Sequence, residues 1–193
     1  MDVMPFDELN KFKAAIPIFF NEDGRIKSKA DFDSLLDMLE DLFLLSYANG
    51  VELTNLSLGS AIEPTAEEVR ETIDKKIQGK TWRDRMDGYF PKTVSDSGQA
   101  AGTINEVIRI AETEAHRDSN AAAWSTAKKA GATQKIWHTM QDDRVRDSHY
   151  YLEGVAAPID GEFYSFLGNS TQYPGQWGVA EEDVNCRCWL TYK

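Results

Sequence analysis

The side chains best able to do chemistry are concentrated in two short segments near the end of the sequence. The first, 137–149, contains two of the three histidines, and the second, 185–188, contains both cysteines. On an extended strand, Cys186 and Cys188 would point their sulfurs to the same face, because side chains alternate along a strand. With His149 they form a ligand set of the type that binds zinc tetrahedrally. The candidates for a fourth ligand are His138, Asp143 and Asp147.

Three interpretations of the cysteine pair remain open. The favoured one is two small buried thiols beside a hydrogen-bonded histidine, since a zinc ribbon uses four thiolates and the chain has 2 cysteines. The second is a structural zinc ion held by His149, Cys186 and Cys188. The third is a disulfide, although Cα atoms two residues apart on a strand lie roughly 6.6 to 6.8 Å from each other, at the outer limit for a bridge. We therefore expect reduced thiols and no cofactor, with zinc as the alternative.

The charged side chains that precede His149 could form an acid/base and phosphate-binding cluster of the kind that a nuclease needs. A helix over residues 142–152, capped by an aspartate and ended by a glycine, would place Asp143 three residues before Arg146 and four before Asp147. Such spacings are typical of a salt-linked helix surface. We therefore favour a structural role for this cluster over a catalytic one.

A long helix is predicted over residues 105–129, where apolar residues and alanines recur at helical spacing. Glu114 lies near its middle. This carboxylate could reach across to Arg144 or Arg146 and so hold the long helix against the C-terminal segments. A buried ion pair of this kind would account for both partners.

The residues before the long helix predict a helical front. Apolar spacing indicates a helix that starts at residue 28 and ends at Asn49-Gly50, and Thr65 with Glu68 predicts a capping box at the start of another. Residues 9–20 are expected to form an arm or short strand, because a proline interrupts any helix there. Residues 91–102, around Ser95, lack apolar periodicity and are predicted to be a loop at a domain boundary.

The residues after the long helix predict a small sheet. Residues 134–139 and 184–192 have strand patterns, and the second strand would carry both cysteines, with Asn185 turning the chain into it. The fold class is therefore predicted as α+β. It comprises a helical N-terminal region, 1–103, and a C-terminal α+β module, 104–193, built from the long helix, a short helix and a few-stranded antiparallel sheet.

Composition narrows the function classes. The chain has 41% hydrophobic and 27% charged residues, as soluble globular proteins do, and its net charge of -11 argues against direct binding of nucleic acid. The N-terminus lacks the basic and apolar regions of a secretory signal, and no run of eighteen apolar residues occurs. We therefore expect a protein that is made and kept in a cytoplasm and has no membrane partner.

Several motifs, taken in order, resemble a known family of phage minor head proteins named after protein F of phage Mu. The motifs are Glu112-Thr113-Glu114-Ala115-His116-Arg117 with Asn120, Lys135-Ile136-Trp137, Asp142-Asp143-Arg144-Val145-Arg146-Asp147-Ser148-His149, Leu152-Glu153-Gly154, Tyr173-Pro174-Gly175 and Asn185-Cys186-Arg187-Cys188. The resemblance covers residues 104–192. The family commonly has an arginine where this chain has Glu112, which puts any role of that arginine in doubt here.

The resemblance implies a non-enzymatic virion protein that acts in head morphogenesis near the portal, inside the capsid, after assembly in a bacterial cytoplasm. Its implied partners are portal, scaffold or major capsid proteins, with a second copy of the chain as an alternative. Some relatives carry an effector domain after the cysteine motif, and none is expected here. The residues expected to build the fold are Glu114, Trp137, Asp143, Arg144, Arg146, His149, Gly154, Asn185, Cys186 and Cys188.

The alternative from another class is a metal-dependent or nucleic-acid-processing enzyme centred on His149 and the cysteine pair. It requires these groups to converge where a substrate can reach them. The two hypotheses share one geometric expectation, which is that His149 and the two thiols face each other.

Overall fold

A computed structural model of the chain describes residues 6–89 and 104–193. The helices are α1 (Phe6–Ala15), α2 (Lys29–Leu58), α3 (Ala66–Ile73), α4 (Trp82–Tyr89), α5 (Ile104–Lys129), α6 (Asp147–Tyr150) and α7 (Ala180–Asp183). The strands are β1 (Gln134–His138), β2 (Ala156–Pro158), β3 (Phe163–Tyr164), β4 (Ser170–Thr171) and β5 (Trp189–Tyr192). Many helical residues with a few short antiparallel strands confirm the predicted α+β class.

The two long helices α2 and α5 pack along each other and form the frame of the molecule. Leu35, Leu39 and Phe43 of α2 are almost completely buried in the contact. The predicted end of α2 at Asn49-Gly50 is wrong, because the helix continues to Leu58 and ends at Gly59 with a left-handed φ of 63°. Gly50 marks a close helix contact instead of a helix end.

The first described residues form a helix, and the predicted arm or strand is wrong. Helix α1 is followed by a 3-10 turn, Ile16–Phe19, which accommodates Pro17 near its start. Leu9, Phe12 and Ile16 recur at three- and four-residue intervals. They are buried in the front core, the apolar cluster that α1 and α2 form with the first half of α5. Their amphipathic spacing therefore determines the local structure, and the proline only ends the α-helix.

The capping box predicted for the third helix is confirmed. The Thr65 side chain accepts a hydrogen bond from the backbone N–H of Glu68, and the Glu68 carboxylate accepts one from the backbone N–H of Thr65. This satisfies N–H groups that have no partner within the helix.

The C-terminal sheet has the strand order β2, β1, β5 with antiparallel pairing throughout. Trp137 of β1 lies opposite Leu190 of β5, and both side chains are buried in the hydrophobic core on the sheet side of the molecule, the C-terminal core. A separate hairpin joins β3 and β4. The chain reverses after β1 at Gly154, whose φ is 75° and whose N–H donates to the Trp137 carbonyl.

Helix α5 belongs to both hydrophobic cores. Its first half, including Val107 and Ala111, packs into the front core, and its second half, including Ala123 and Ala127, packs into the core of the sheet. The predicted loop around Ser95 lies outside the described residues, so the domain boundary between 103 and 104 stays a prediction. Within the two described stretches, no helix combines the length and apolar character needed to cross a bilayer.

Candidate metal centre

Trp137 is the centre of the C-terminal core. Its side chain is fully buried and contacts three rings, those of His149, Phe163 and Trp177, at centroid distances of 5.8, 5.0 and 5.7 Å. Strand β1 directs the indole inward because it is central in its sheet and alternates buried with exposed positions. Trp137 therefore fixes the position of His149 by packing.

The segment before His149 is mostly a turn, and the predicted helix over residues 142–152 is wrong. The carboxylate of Asp142 accepts a hydrogen bond from the Arg144 N–H at 3.1 Å and pairs with both terminal nitrogens of Arg187 at 2.6 and 2.8 Å. An aspartate that bonds two residues ahead in this way favours a turn over a helix. Only Asp147–Tyr150 is helical.

The predicted salt network of this segment is also wrong. Asp143 is exposed, and within the described residues it forms no ion pair. The Arg146 guanidinium donates to the backbone carbonyl of Val184, so it ties the turn to the segment that leads to the cysteines. The turn is held across the chain by Arg146 and by the pair of Asp142 with Arg187.

Both cysteines lie just before β5, so their predicted place on the strand is wrong. Asn185 turns the chain with a left-handed φ of 57°, which supports its predicted role. The two thiols nevertheless face His149, since Cys186 Sγ and Cys188 Sγ lie 3.7 and 3.6 Å from its Nδ1 atom. Both sulfurs are buried and form no disulfide in the structure, and their reduced state stays a prediction.

The other side of the His149 ring faces Glu182, a residue that no motif in the sequence indicated. His149 Nε2 lies 2.8 Å from Glu182 Oε2, at an angle that is poor for a linear hydrogen bond. Glu182 also accepts hydrogen bonds from the Ser148 hydroxyl at 2.7 Å and the Asn169 amide at 3.4 Å. Burial opposes ionisation of this carboxyl group, but the hydrogen bonds outweigh it and lower the pKa of Glu182.

A carboxylate, an imidazole and a thiol in this order could activate a cysteine nucleophile. The hydrogen bond from the Cys188 thiol, opposed by burial, lowers the pKa of Cys186, while the same contact and burial raise the pKa of Cys188. Among the described residues, a cavity of about 10 Å³ lies beside His149 and Cys188. That volume is roughly the room of one water molecule, so this cavity is too small to bring a substrate to the thiols.

The predicted fourth ligands do not join this centre. His138 lies elsewhere, with Nδ1 3.3 Å from Glu153 Oε1 and Nε2 2.8 Å from Thr191 Oγ1. Among the described residues, the group of side chains whose ligand atoms could hold a metal contains His149, Cys186 and Cys188, and Asp143 and Asp147 are exposed. The three-ligand part of the predicted site is therefore assembled, and the predicted fourth ligand is not.

A second cluster, of buried charges, lies in the middle of α5. Glu114 was predicted to reach Arg144 or Arg146, and this is wrong, because its carboxylate pairs with Arg85 of α4 and Arg117 of its own helix. The carboxylate therefore joins α5 to the front helices. The C-terminal turn is held by other contacts.

Arg117 and Asp118 complete this cluster. Arg117 donates to the carbonyls of Thr72 and Ile73 at the end of α3 and to the Asp118 carboxylate at 2.8 Å. Burial raises the pKa of Asp118 to about 7, although Arg117 opposes the shift. Gly175 packs over the arginine so closely that a Cβ there would lie 3.0 Å from Arg117 Cα.

Comparison with known proteins shows that most of this chain matches one protein family. The family model described as "Phage Mu protein F like protein" matches residues 54–191. The match begins within α2, so the family module includes helices that pack on α5 as well as the sheet. No solved structure is significantly similar to the chain.

Two curated relatives are informative. The minor head protein GP7 of Bacillus phage SPP1 is 36% identical over 196 aligned positions, which cover 84% of this chain and 63% of the relative. The NAD(+)-arginine ADP-ribosyltransferase EFV of Enterococcus faecalis (strain ATCC 700802 / V583) is 35% identical over 94 positions, which cover 47% of this chain and 19% of the transferase. This chain thus spans less than two thirds of the length of either relative. With a family match over most of its length, the chain belongs to the phage Mu protein F-like family.

Proposed function

We propose that this protein is a minor head protein of a phage or prophage, a structural component of the virion that acts in head morphogenesis. The observation that carries the proposal is the 36% identity to a phage minor head protein over 84% of this chain. Membership of the family supports the same role.

The buried side chains support a structural role. His149, Cys186 and Cys188 are enclosed by the C-terminal core, and Glu114 with Arg117 joins the front helices to α5. Each of these groups is buried and contacts neighbours within the fold. Residues with catalytic capacity are thus used to hold elements together.

A transferase or nuclease function has less support. The similarity to the ADP-ribosyltransferase covers only 19% of that protein, so it identifies a shared segment and does not carry the activity to this chain. A nuclease centred on His149 would need a path for a nucleic acid strand to a group that is 1% exposed. The net charge of -11 would also repel such a substrate.

The partners we propose are portal, scaffold or major capsid proteins, or a second copy of the chain, on the inside of the head. The apolar stripe of α2, which runs from Phe32 to Phe43, is mostly buried in the core that α2 shares with α5. Most of it is therefore unavailable to a partner protein. A more accessible surface is the aromatic patch, which we define as Tyr150, Tyr151, Tyr164, Phe166 and Leu167, each more than half exposed. Exposed apolar patches of this kind mark interaction surfaces in soluble proteins.

Co-expression with the portal, scaffold and major capsid proteins of the same phage tests the proposal. We expect the tagged protein to retain at least one of them on an affinity column, and the double variant Tyr151→Glu with Phe166→Glu to retain less. The variant Leu56→Glu, on the exposed side of α2, is the control for added charge. Failure of the wild-type protein to associate with any head component would contradict the proposed partners.

A further inference from the structure

We propose that the C-terminal core binds one zinc ion through Nδ1 of His149 and the sulfurs of Cys186 and Cys188. The three side chains come from two segments of the chain, since Cys186 and Cys188 follow His149 by 37 and 39 positions in the sequence. Their ligand atoms all lie within 4.8 Å of one another, and all three residues are buried. The ion would therefore join the turn that ends in α6 to the start of β5.

The distances fit a tetrahedral ion. With Zn–S of about 2.3 Å and Zn–N of about 2.0 to 2.1 Å, a tetrahedral angle separates a nitrogen ligand from a sulfur ligand by roughly 3.6 Å. The observed separations of His149 Nδ1 from the two sulfurs are 3.7 and 3.6 Å. A metal could bind with little movement of the ligands.

The equal distances also favour an ion over a pair of hydrogen bonds. A neutral imidazole nitrogen has one lone pair, so Nδ1 can accept one well-directed S–H hydrogen bond. The structure places two sulfurs at nearly the same distance from that one atom. A common centre between the three atoms accounts for this symmetry.

The surroundings of His149 are those of a metal ligand. Metal-binding histidines usually have a carboxylate or carbonyl group beside the ring nitrogen that does not bind the ion, and that group fixes the ring orientation. Glu182 occupies this position, 2.8 Å from Nε2, and Ser148 holds its carboxylate in place. Trp177 stacks on the ring at a centroid distance of 5.3 Å. The ring is thus fixed on both sides with Nδ1 directed to the sulfurs.

A water molecule supplies the fourth ligand in this proposal. The cavity of about 10 Å³ beside His149 and Cys188 has roughly the room that one water needs. Three arginines line it, of which Arg146 bonds to the Val184 carbonyl, Arg187 pairs with Asp142 and Arg144 is exposed. Binding releases the two thiol protons to solvent, and the two thiolates then balance the charge of Zn²⁺.

Metal analysis of the full chain, purified without chelator and under reducing conditions, tests the proposal. We expect about one zinc per chain by elemental analysis, and a lower melting temperature after a strong chelator removes it. Cobalt added to the stripped protein should give thiolate-to-cobalt charge-transfer absorption, which requires sulfur ligands. This second measurement uses the wild-type protein, so it does not depend on whether a variant folds.

Matched histidine variants locate the ion. His149→Ala and the double variant Cys186→Ser with Cys188→Ser should lose the zinc, whereas His138→Ala, at the end of β1 and outside the centre, should keep it. The proposal is overturned if reduced wild-type protein binds well under one zinc and gives no cobalt charge-transfer band. It is also overturned if His138→Ala loses zinc as fully as His149→Ala. Neither result would bear on the proposed role in the phage head.

Discussion

At the scale of single residues, Glu182 is the partner that orients His149 in the proposed zinc centre. It is fully buried, and its two oxygens contact His149, Ser148 and Asn169. A carboxylate in this position keeps the imidazole in one orientation and increases its basicity toward a metal. No motif or spacing in the sequence indicated it, because it comes from a four-residue helix that packs on His149 only in the folded chain.

Replacing Glu182 by glutamine tests this role. We expect Glu182→Gln to lower the zinc affinity about 10- to 100-fold, because the amide keeps the shape but loses the charge that orients His149. Competition with a chromogenic chelator measures the affinity. The neighbouring exposed residue offers a control, and Glu181→Gln should bind zinc as the wild type does. Equal affinities for the two variants would contradict the role of Glu182.

A second prediction concerns the pH dependence of stability through Asp118. Burial raises its pKa in the folded protein to about 7 from an ordinary value of 3.8. The folded state therefore holds this proton more tightly than the unfolded chain does. Its contribution to the free energy of unfolding is full below pH about 4 and is lost as the pH rises toward 7.

The variant Asp118→Asn removes this titration. We expect the free energy of unfolding of the wild type, relative to the variant, to fall by about 3 kcal/mol between pH 4 and pH 7. Urea unfolding at several pH values measures it. Wild-type and variant curves that run parallel over this range would show that Asp118 is already ionised in the folded protein at low pH.

At the scale of elements, the packing of α2 against α5 depends on one glycine. A Cβ added at Gly50 would lie 2.2 Å from the backbone oxygen of Ser119 and 3.1 Å from the Ala122 Cβ. Backbone atoms cannot move aside as a flexible side chain can. The small residue therefore sets how closely the two helices approach.

Gly50→Ala should accordingly destabilise the protein by about 1 to 3 kcal/mol, the usual effect of overpacking. Gly88→Ala is the matched control, since that glycine is also helical and an added Cβ would meet no atom of the described residues within 4 Å. The control should be neutral or slightly more stable, because alanine favours helix over glycine. Denaturant unfolding compares the two, and equal stability would contradict the close contact.

Local signals in the sequence predicted elements well where the stabilising groups lie within one turn. The Thr65 and Glu68 capping box and the helix of residues 104–129 are examples. Prediction failed where distant contacts decide. In the sequence, Gly50 indicates a helix end, but in the structure it allows α5 to pack closely on α2. Likewise, Asp142 indicates a helix cap in the sequence, but in the structure it binds Arg187.

The candidate site shows the same division. The convergence of His149 with Cys186 and Cys188 followed from the clustering of rare residues and is confirmed. The partners of Glu114 did not follow, because Arg85 lies on a helix that reaches α5 only through the tertiary fold. Residue types thus indicate which groups can meet, and packing decides which of them do.

At the scale of the whole molecule, α5 connects a helical front to a small sheet and contributes to both cores. The buried contacts of this helix and the enclosed centre near β5 both lie within the segment that matches the family model. The aromatic patch is formed by the end of α6 and by the hairpin of β3 and β4. This arrangement suits a protein that holds a fixed shape within a larger assembly.

The central claim is that this protein is a component of the phage head. Mass spectrometry of gradient-purified particles from the phage or induced prophage that encodes it tests this most directly, with an abundant host cytoplasmic protein as the measure of contamination. We expect peptides of this chain to co-purify with the major capsid protein at a constant ratio across the particle peak. Particles that contain the capsid protein but none of these peptides would contradict it.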